Sequence, residues 1–246
     1  MLKRILIFVF AIAIVNASIT SGTVFYDKSG SAQKSSTAPS SVPTAPPKKP
    51  VVSSSAVAST PNPYVPLVEK LAAKYGVKDS QYDNALTITQ ELHNSLSAAL
   101  EPANFNFAAF LLASAYADTG LIPTEEKLSA KTDVAAAQKK YFDQGYYGRG
   151  FVHFTGLFNY ERFTRQLNID LSHTPEQLLN PTVAAKVLVF GALNGKFTGE
   201  KLSNFLGAKT ASQVQFKDAR RSINGDNNAV AIGKMAFELV SSLASN

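Results

Sequence analysis

Residues 105–118, FNFAAFLLASAYAD, constrain the fold more than any other stretch of the chain. Phe107, Phe110, Leu111, Ser114 and Ala115 form one stripe at helical spacing, and apolar residues also occupy much of the remaining surface. A helix this apolar must be surrounded by other elements, so it is expected at the centre of a helical domain. The flanking sequence supplies those elements. Val65, Leu67, Val68, Leu71 and Ala72 precede Gly76, and Leu86, Ile88, Leu92 and Leu96 continue the period, which predicts two amphipathic helices before the central one. A fourth helix is expected after Pro123, running through LSAKTDVAAAQKKYF. Further helices are expected over Tyr160–Leu167, Pro181–Leu193, Gly199–Leu206, Ala211–Ile223 and Ala229–Leu243. Between them, Gly145, Gly148 and Gly150 break the helical period. The alternation of Phe151, His153 and Thr155 with Val152 and Phe154 then predicts a short hairpin or extended segment. The expected class is mainly α, a multi-helix domain with one small β-hairpin.

The N-terminal quarter has a different character. Residues 1–17, MLKRILIFVFAIAIVNA, combine a basic start, an apolar run of about eleven residues and small residues at the end, the pattern of a secretory signal peptide. The run is shorter than the roughly 20 residues that a spanning helix needs, so no integral membrane contact is expected and the chain reads as secreted. Residues 18–62 are rich in Ser, Pro, Thr and Ala without periodicity, and are read as a disordered linker. Residues 63–246 form the predicted folded domain, expected to be monomeric.

Charge follows the same division. The chain carries a formal net charge of +6 from 24 basic and 18 acidic residues. Lys3, Arg4, Lys28, Lys34, Lys48 and Lys49 lie before residue 62 and are opposed there only by Asp27, which leaves 18 basic and 17 acidic residues beyond it. A folded part this nearly neutral argues against nucleic-acid binding. With no cysteine, its stability must come from burial alone. The histidines His93, His153 and His173 have no ligand spacing such as HExxH, and no P-loop, dinucleotide fingerprint or nucleophile elbow is present, so neither metal nor cofactor is expected.

What remains is acids. Asp118 continues the apolar stripe of the central helix into its last turn, before Thr119 and Gly120. Partial burial and the negative end of the helix dipole should both raise its pKa, which suits a proton donor. In Pro123-Thr124-Glu125-Glu126, Thr124 reads as a helix cap, and acids in a first turn should stay ionised. One acid biased to keep its proton and one biased to lose it is the arrangement of an inverting glycosidase.

The stretches AAFLLASAYADTGLIP and YYGRGFVHFTGLFNY resemble the catalytic helix and the Tyr-Gly-Arg-Gly cleft of glycoside hydrolase family 19, the chitinases and related phage endolysins. LLNPTVAAKVLVFGALNGKFTGEKLSNFL and DARRSINGDNNAVAIGKMAFELV are similar to its closing helices. The resemblance covers about residues 100–243. It implies an α+β lysozyme-like fold, and cleavage of β-1,4-linked N-acetylglucosamine chains in chitin, chitooligosaccharides or peptidoglycan. By position it implies Asp118 as general acid, Glu126 or its neighbour Glu125 as general base, and Thr155 as the hydroxyl that helps hold the attacking water. Tyr147, Arg149, His153, Asn159 and Asn224 fall at positions that shape the cleft or bind sugar. The family's His-Glu pair reads Ala117-Asp118 here, so the acid is one methylene shorter. A retraction of roughly 1.5 Å weakens proton transfer, and the alternative function is therefore a catalytically impaired glycan-binding or cell-wall protein of the same fold.

Overall fold

A computed structural model of the chain describes residues 61–243. The signal peptide read over 1–17, and the linker read over 18–62 except for Pro61 and Asn62, lie outside the described residues. So do the last three residues.

The described part is mainly helical, with one small antiparallel sheet. In chain order its elements are α1 (Val65–Tyr75), α2 (Ser80–Ala98), α3 (Phe105–Thr119), β1 (Thr124–Glu125), α4 (Thr132–Asp143), β2 (Arg149–Gly150), α5 (Leu157–Leu167), α6 (Pro181–Leu193), α7 (Gln213–Ala219), α8 (Arg221–Asn224) and α9 (Ala229–Ser241). Single 3-10 turns at Pro175–Leu179 and Leu202–Asn204 lead into and out of the α6 region.

The central helix is α3, and every residue from Asn106 to Ala115 is buried. It starts where the Asn104 side chain accepts a hydrogen bond from Phe107 N, and it stops at Gly120, whose φ of 63° supplies the left-handed cap. The buried Asn106 is satisfied by donating to the carbonyls of Gly207 and Lys209, 2.6 and 2.7 Å away. Around α3 pack α1, α2 and, most extensively, α9, while α2 also packs on α6 and α9 on α7. A smaller cluster of Phe154, Tyr160, Phe163, Leu171, Leu178 and Val187 lies beneath the sheet segment and α5. It anchors the glycine-rich stretch to α6, where Phe163 meets Phe190 edge-on at 5.6 Å.

Four sequence expectations change. The helix expected directly after Pro123 begins at Thr132 instead, and Thr124 and Glu125 form β1. Thr124 pairs with Gly150 and Glu125 with Arg149, and Glu126 N donates to Gly148 O at 2.7 Å. A ladder that also pairs Glu125 with a guanidinium outweighs the weak intrinsic preference of a short acidic stretch for helix. The stretch 145–155 is not a two-stranded hairpin either. Its strand β2 pairs with the distant β1, and the turn over residues 151–153 is closed by a bridge between Arg149 and Phe154. Finally, the helix read over Ala211–Ile223 is divided at Arg220 into α7 and α8, and only the single 3-10 turn Leu202–Asn204 forms within Gly199–Leu206. No described helix is long and apolar enough to cross a membrane.

Gly233 shows how tightly the closing helices approach. A Cβ there would lie 2.7 Å from Lys217 N and 2.8 Å from Lys217 Cα, backbone atoms of α7 that cannot rotate away. Gly233→Ala is expected to push α9 off α7 and destabilise the domain by about 1–3 kcal/mol. At roughly 2–4 °C per kcal/mol for a domain of this size, a thermal melt resolves the loss, and an unchanged midpoint would contradict the close approach.

Candidate active site

Asp118 sits in the last turn of α3, where the buried stripe of that helix reaches the surface. Its side chain is only 8% exposed, and both carboxylate oxygens accept from Nη2 of Arg220 at 2.8 Å. Arg220 has no exposed side-chain surface. Its Nε donates to the carbonyl of Asn227 at 3.0 Å, while Nη1 has no hydrogen-bond partner among the described residues. Burial raises the Asp118 pKa above the ordinary aspartate value; Arg220 and, more weakly, His153 pull it back without cancelling the shift.

His153 links this acid to the sheet. It takes φ 52° at the end of the turn after β2, and its Nε2 lies 3.4 Å from Thr124 Oγ1. Gly148 lies between His153 and Glu126, and a Cβ at Gly148 would come within 2.7 Å of His153 Cβ and 2.9 Å of Glu126 Oε2. Only glycine lets these two side chains flank one backbone position. The half-exposed Glu126 is held at both oxygens, by Gln138 Nε2 at 2.6 Å and by Gly148 N at 3.3 Å. From the exposed helix α4, Gln138 thus orients an acid that sequence spacing placed on a helix of its own.

Glu125 points to a different task. Its Oε1 accepts from Arg149 Nε at 2.9 Å and from Tyr147 OH at 3.0 Å, and the Arg149 hydrogen bond is the main reason its carboxyl titrates below the usual glutamate value. Arg149 is 6% exposed and also donates to Gly145 O and Tyr160 OH. Burial pushes the Tyr160 phenol up to about 12, so it remains a donor to the carbonyls of Tyr147 and Phe154. Tyr147 stacks on Phe142 at 4.5 Å and beneath the Arg149 guanidinium at 3.8 Å, two groups too close to share one face of the ring. Arg149, expected to shape the cleft or bind sugar, is an internal clamp here, and both faces of the Tyr147 ring are covered by protein. Glu125 is thus committed to this clamp, whereas Glu126 is held by Gln138 and Gly148 instead.

Thr155 donates to His153 O at 2.7 Å, which leaves its oxygen free to accept. Asn159 donates to Thr155 O at 2.7 Å and accepts from Arg162 at 2.9 Å, so part of its amide serves the protein itself. Asn224, half-exposed at the end of α8, is tied to the cluster through its backbone N–H, which donates to the carbonyl of Arg220 at 3.0 Å. His153, Thr155 and Asn159 are joined by hydrogen bonds, and Glu126 and His153 both flank Gly148. Arg149 and Tyr147 hold Glu125, and Asn224 is tied to Asp118 only through Arg220.

Arg220 and Gln138, which hold Asp118 and Glu126, are the positions in the cluster that spacing did not single out, and Gly148 makes room beside Glu126. Arg220 and Arg221 look alike in sequence, and only burial distinguishes them. A groove of about 510 Å³ lined by Asn62, Leu86, Gln90 and Glu91 among others shares no residue with the acid cluster. Among the described residues, no three His, Asp or Glu side chains converge as a metal site. The chain matches no protein-family model and no curated protein.

The Asp118–Arg220 pair generates a pH-dependent expectation. Without Arg220 the Asp118 pKa rises further, because the largest opposing pull is gone. A raised native pKa means that the native state holds the proton more tightly than the unfolded chain. Its stabilisation is complete below the unfolded aspartate range and is lost as pH climbs through the native value. Arg220→Met is therefore expected to cost about 3–5 kcal/mol near neutral pH, where an uncompensated carboxylate would be buried. The cost should be smaller near about pH 4, close to the ordinary aspartate range. Urea unfolding at stepped pH measures this, and a gap that stays constant from acid to neutral would show that the Asp118 charge is not what Arg220 compensates.

Proposed function

We propose that this chain is an exported glycoside hydrolase that cleaves β-1,4-linked N-acetylglucosamine polymers, chitin or peptidoglycan, by a single displacement with inversion. The observation that supports this reading is the pair of acids in contrasting settings. Asp118 is buried and biased toward its protonated form, whereas Glu126 is half-exposed with two donors fixing its oxygens. In this mechanism Asp118 protonates the departing glycosidic oxygen. Glu126 accepts a proton from a water that the Thr155 oxygen helps to position, and that water attacks the anomeric carbon from the opposite face. No metal ion or organic cofactor takes part in these steps. The resemblance of residues 100–243 to family 19, and with it the lysozyme-like fold, belongs to the same proposal.

One observation favours the second reading, a glycan-binding or cell-wall-associated protein that no longer turns substrate over. Both oxygens of the shortened acid face Arg220 Nη2, so the proton must be held in competition with a buried cation. The two readings part on one experiment. The full chain is incubated with N-acetylchitohexaose and with peptidoglycan, and the products are followed by proton NMR. Hydrolysis should release the α-anomer first, and Asp118→Asn and Glu126→Gln should each lower kcat about 10²–10⁴-fold while oligosaccharide binding persists. Binding without new chain ends in the wild type, and none gained in Asp118→Glu, selects the binding protein. Initial release of the β-anomer would contradict the inverting mechanism.

A further inference from the structure

The aromatic residues around α5 are nearly all internal. Phe154 is 4% exposed, and Tyr160 and Phe163 are completely buried, whereas Phe158 is 67% exposed. No other phenylalanine among the described residues is exposed. Phe158 lies in the first turn of α5, three residues after Thr155 and next to Asn159. One turn further on, the Arg162 guanidinium lies 5.4 Å from its ring centroid, within cation–π range. Arg162 is itself anchored, donating to Asn159 Oδ1 and to the carbonyl of Lys196. The ring is thereby backed by a fixed cation and otherwise left open, at the end of a hydrogen-bonded run from His153 through Thr155 and Asn159 to Arg162.

We propose that Phe158 is a stacking platform for a distal sugar ring of the bound glycan, a specificity residue that selects long chains over short ones. The inference rests on the glycan-cleaving reading and extends it. In a β-1,4-linked pyranose the polar groups are equatorial, so each face of the ring presents axial C–H bonds. An aromatic face carries negative charge density that attracts such positively polarised hydrogens, and two flat apolar faces also shed water on contact. The Thr155 hydroxyl oxygen, three residues before Phe158, and the remaining capacity of the adjacent Asn159 amide offer polar partners to the hydroxyl and N-acetyl groups at the rim of a sugar.

The chain contains no tryptophan, which provides a clean reporter. Phe158→Trp in the full chain makes an indole at the platform the sole strong emitter. N-acetylchitohexaose is expected to change its emission saturably, at the concentrations at which calorimetry shows the wild type binding. Phe158→Ala is expected to weaken hexamer binding roughly five- to tenfold and to leave N-acetylchitobiose unchanged. If the wild type binds hexamer while the indole emission of the Phe158→Trp variant stays constant and Phe158→Ala binds normally, the platform is refuted and the glycan reading stands. Equal losses for the dimer and the hexamer would show a structural role and also refute it. If calorimetry detects no binding of hexamer or of peptidoglycan fragments by the wild type, the glycan reading falls and the platform falls with it.

Discussion

The carboxylate of Asp118 closes the central helix against a guanidinium that lies 102 residues later in the chain, and neither side chain has water enough to be ionised comfortably alone. Two charges removed from solvent stabilise a fold only when each satisfies the other, and either one left alone would be a heavy penalty. The pair therefore fixes where α3 ends relative to the α7–α8 break. Arg220 stands at that break, and the hydrogen bond from its Nε to Asn227 O carries the constraint into the turn before α9. The site is assembled around this junction, not on any single element.

The same interaction bears on chemistry in two directions. Burial favours the protonated acid that a donor requires, while Arg220 favours the ionised form. The carboxyl of Asp118 is thus pulled in both directions by the same junction. Glu125 and Glu126 show the complementary case. They are adjacent in sequence, Glu125 ending β1 and Glu126 following it, yet Glu125 meets the Arg149 clamp while Glu126 meets Gln138 and Gly148. Where the strand ends, neighbouring acids are thus sent to different partners.

Much of the helical framework was legible in the apolar spacing. The buried stripe of α3, its glycine cap, the bounds of α6 and the start of α9 follow from local rules of burial and capping that act within a turn or two. The errors fall where a distant partner overrides local preference. Thr124-Glu125-Glu126 has the composition of a helix start, and it becomes a strand because the backbone of Gly148–Gly150 offers it a ladder. The helix through Ala211–Ile223 breaks at Arg220, where the side chain must turn inward to reach Asp118.

For the site, sequence alone determined which residue types were available. It contained acids at the end of a buried helix and after Pro123, a glycine-arginine stretch, and neither cysteine nor a metal-binding spacing. Tertiary structure decided what each acid touches. It buried Asp118 against Arg220, assigned Glu125 to Arg149, left Glu126 between Gln138 and Gly148, and turned Arg149 inward. The physical reason is that a carboxyl's charge state and reach depend on desolvation and on donors within about 3 Å, and those donors come from residues 12 to 102 positions away.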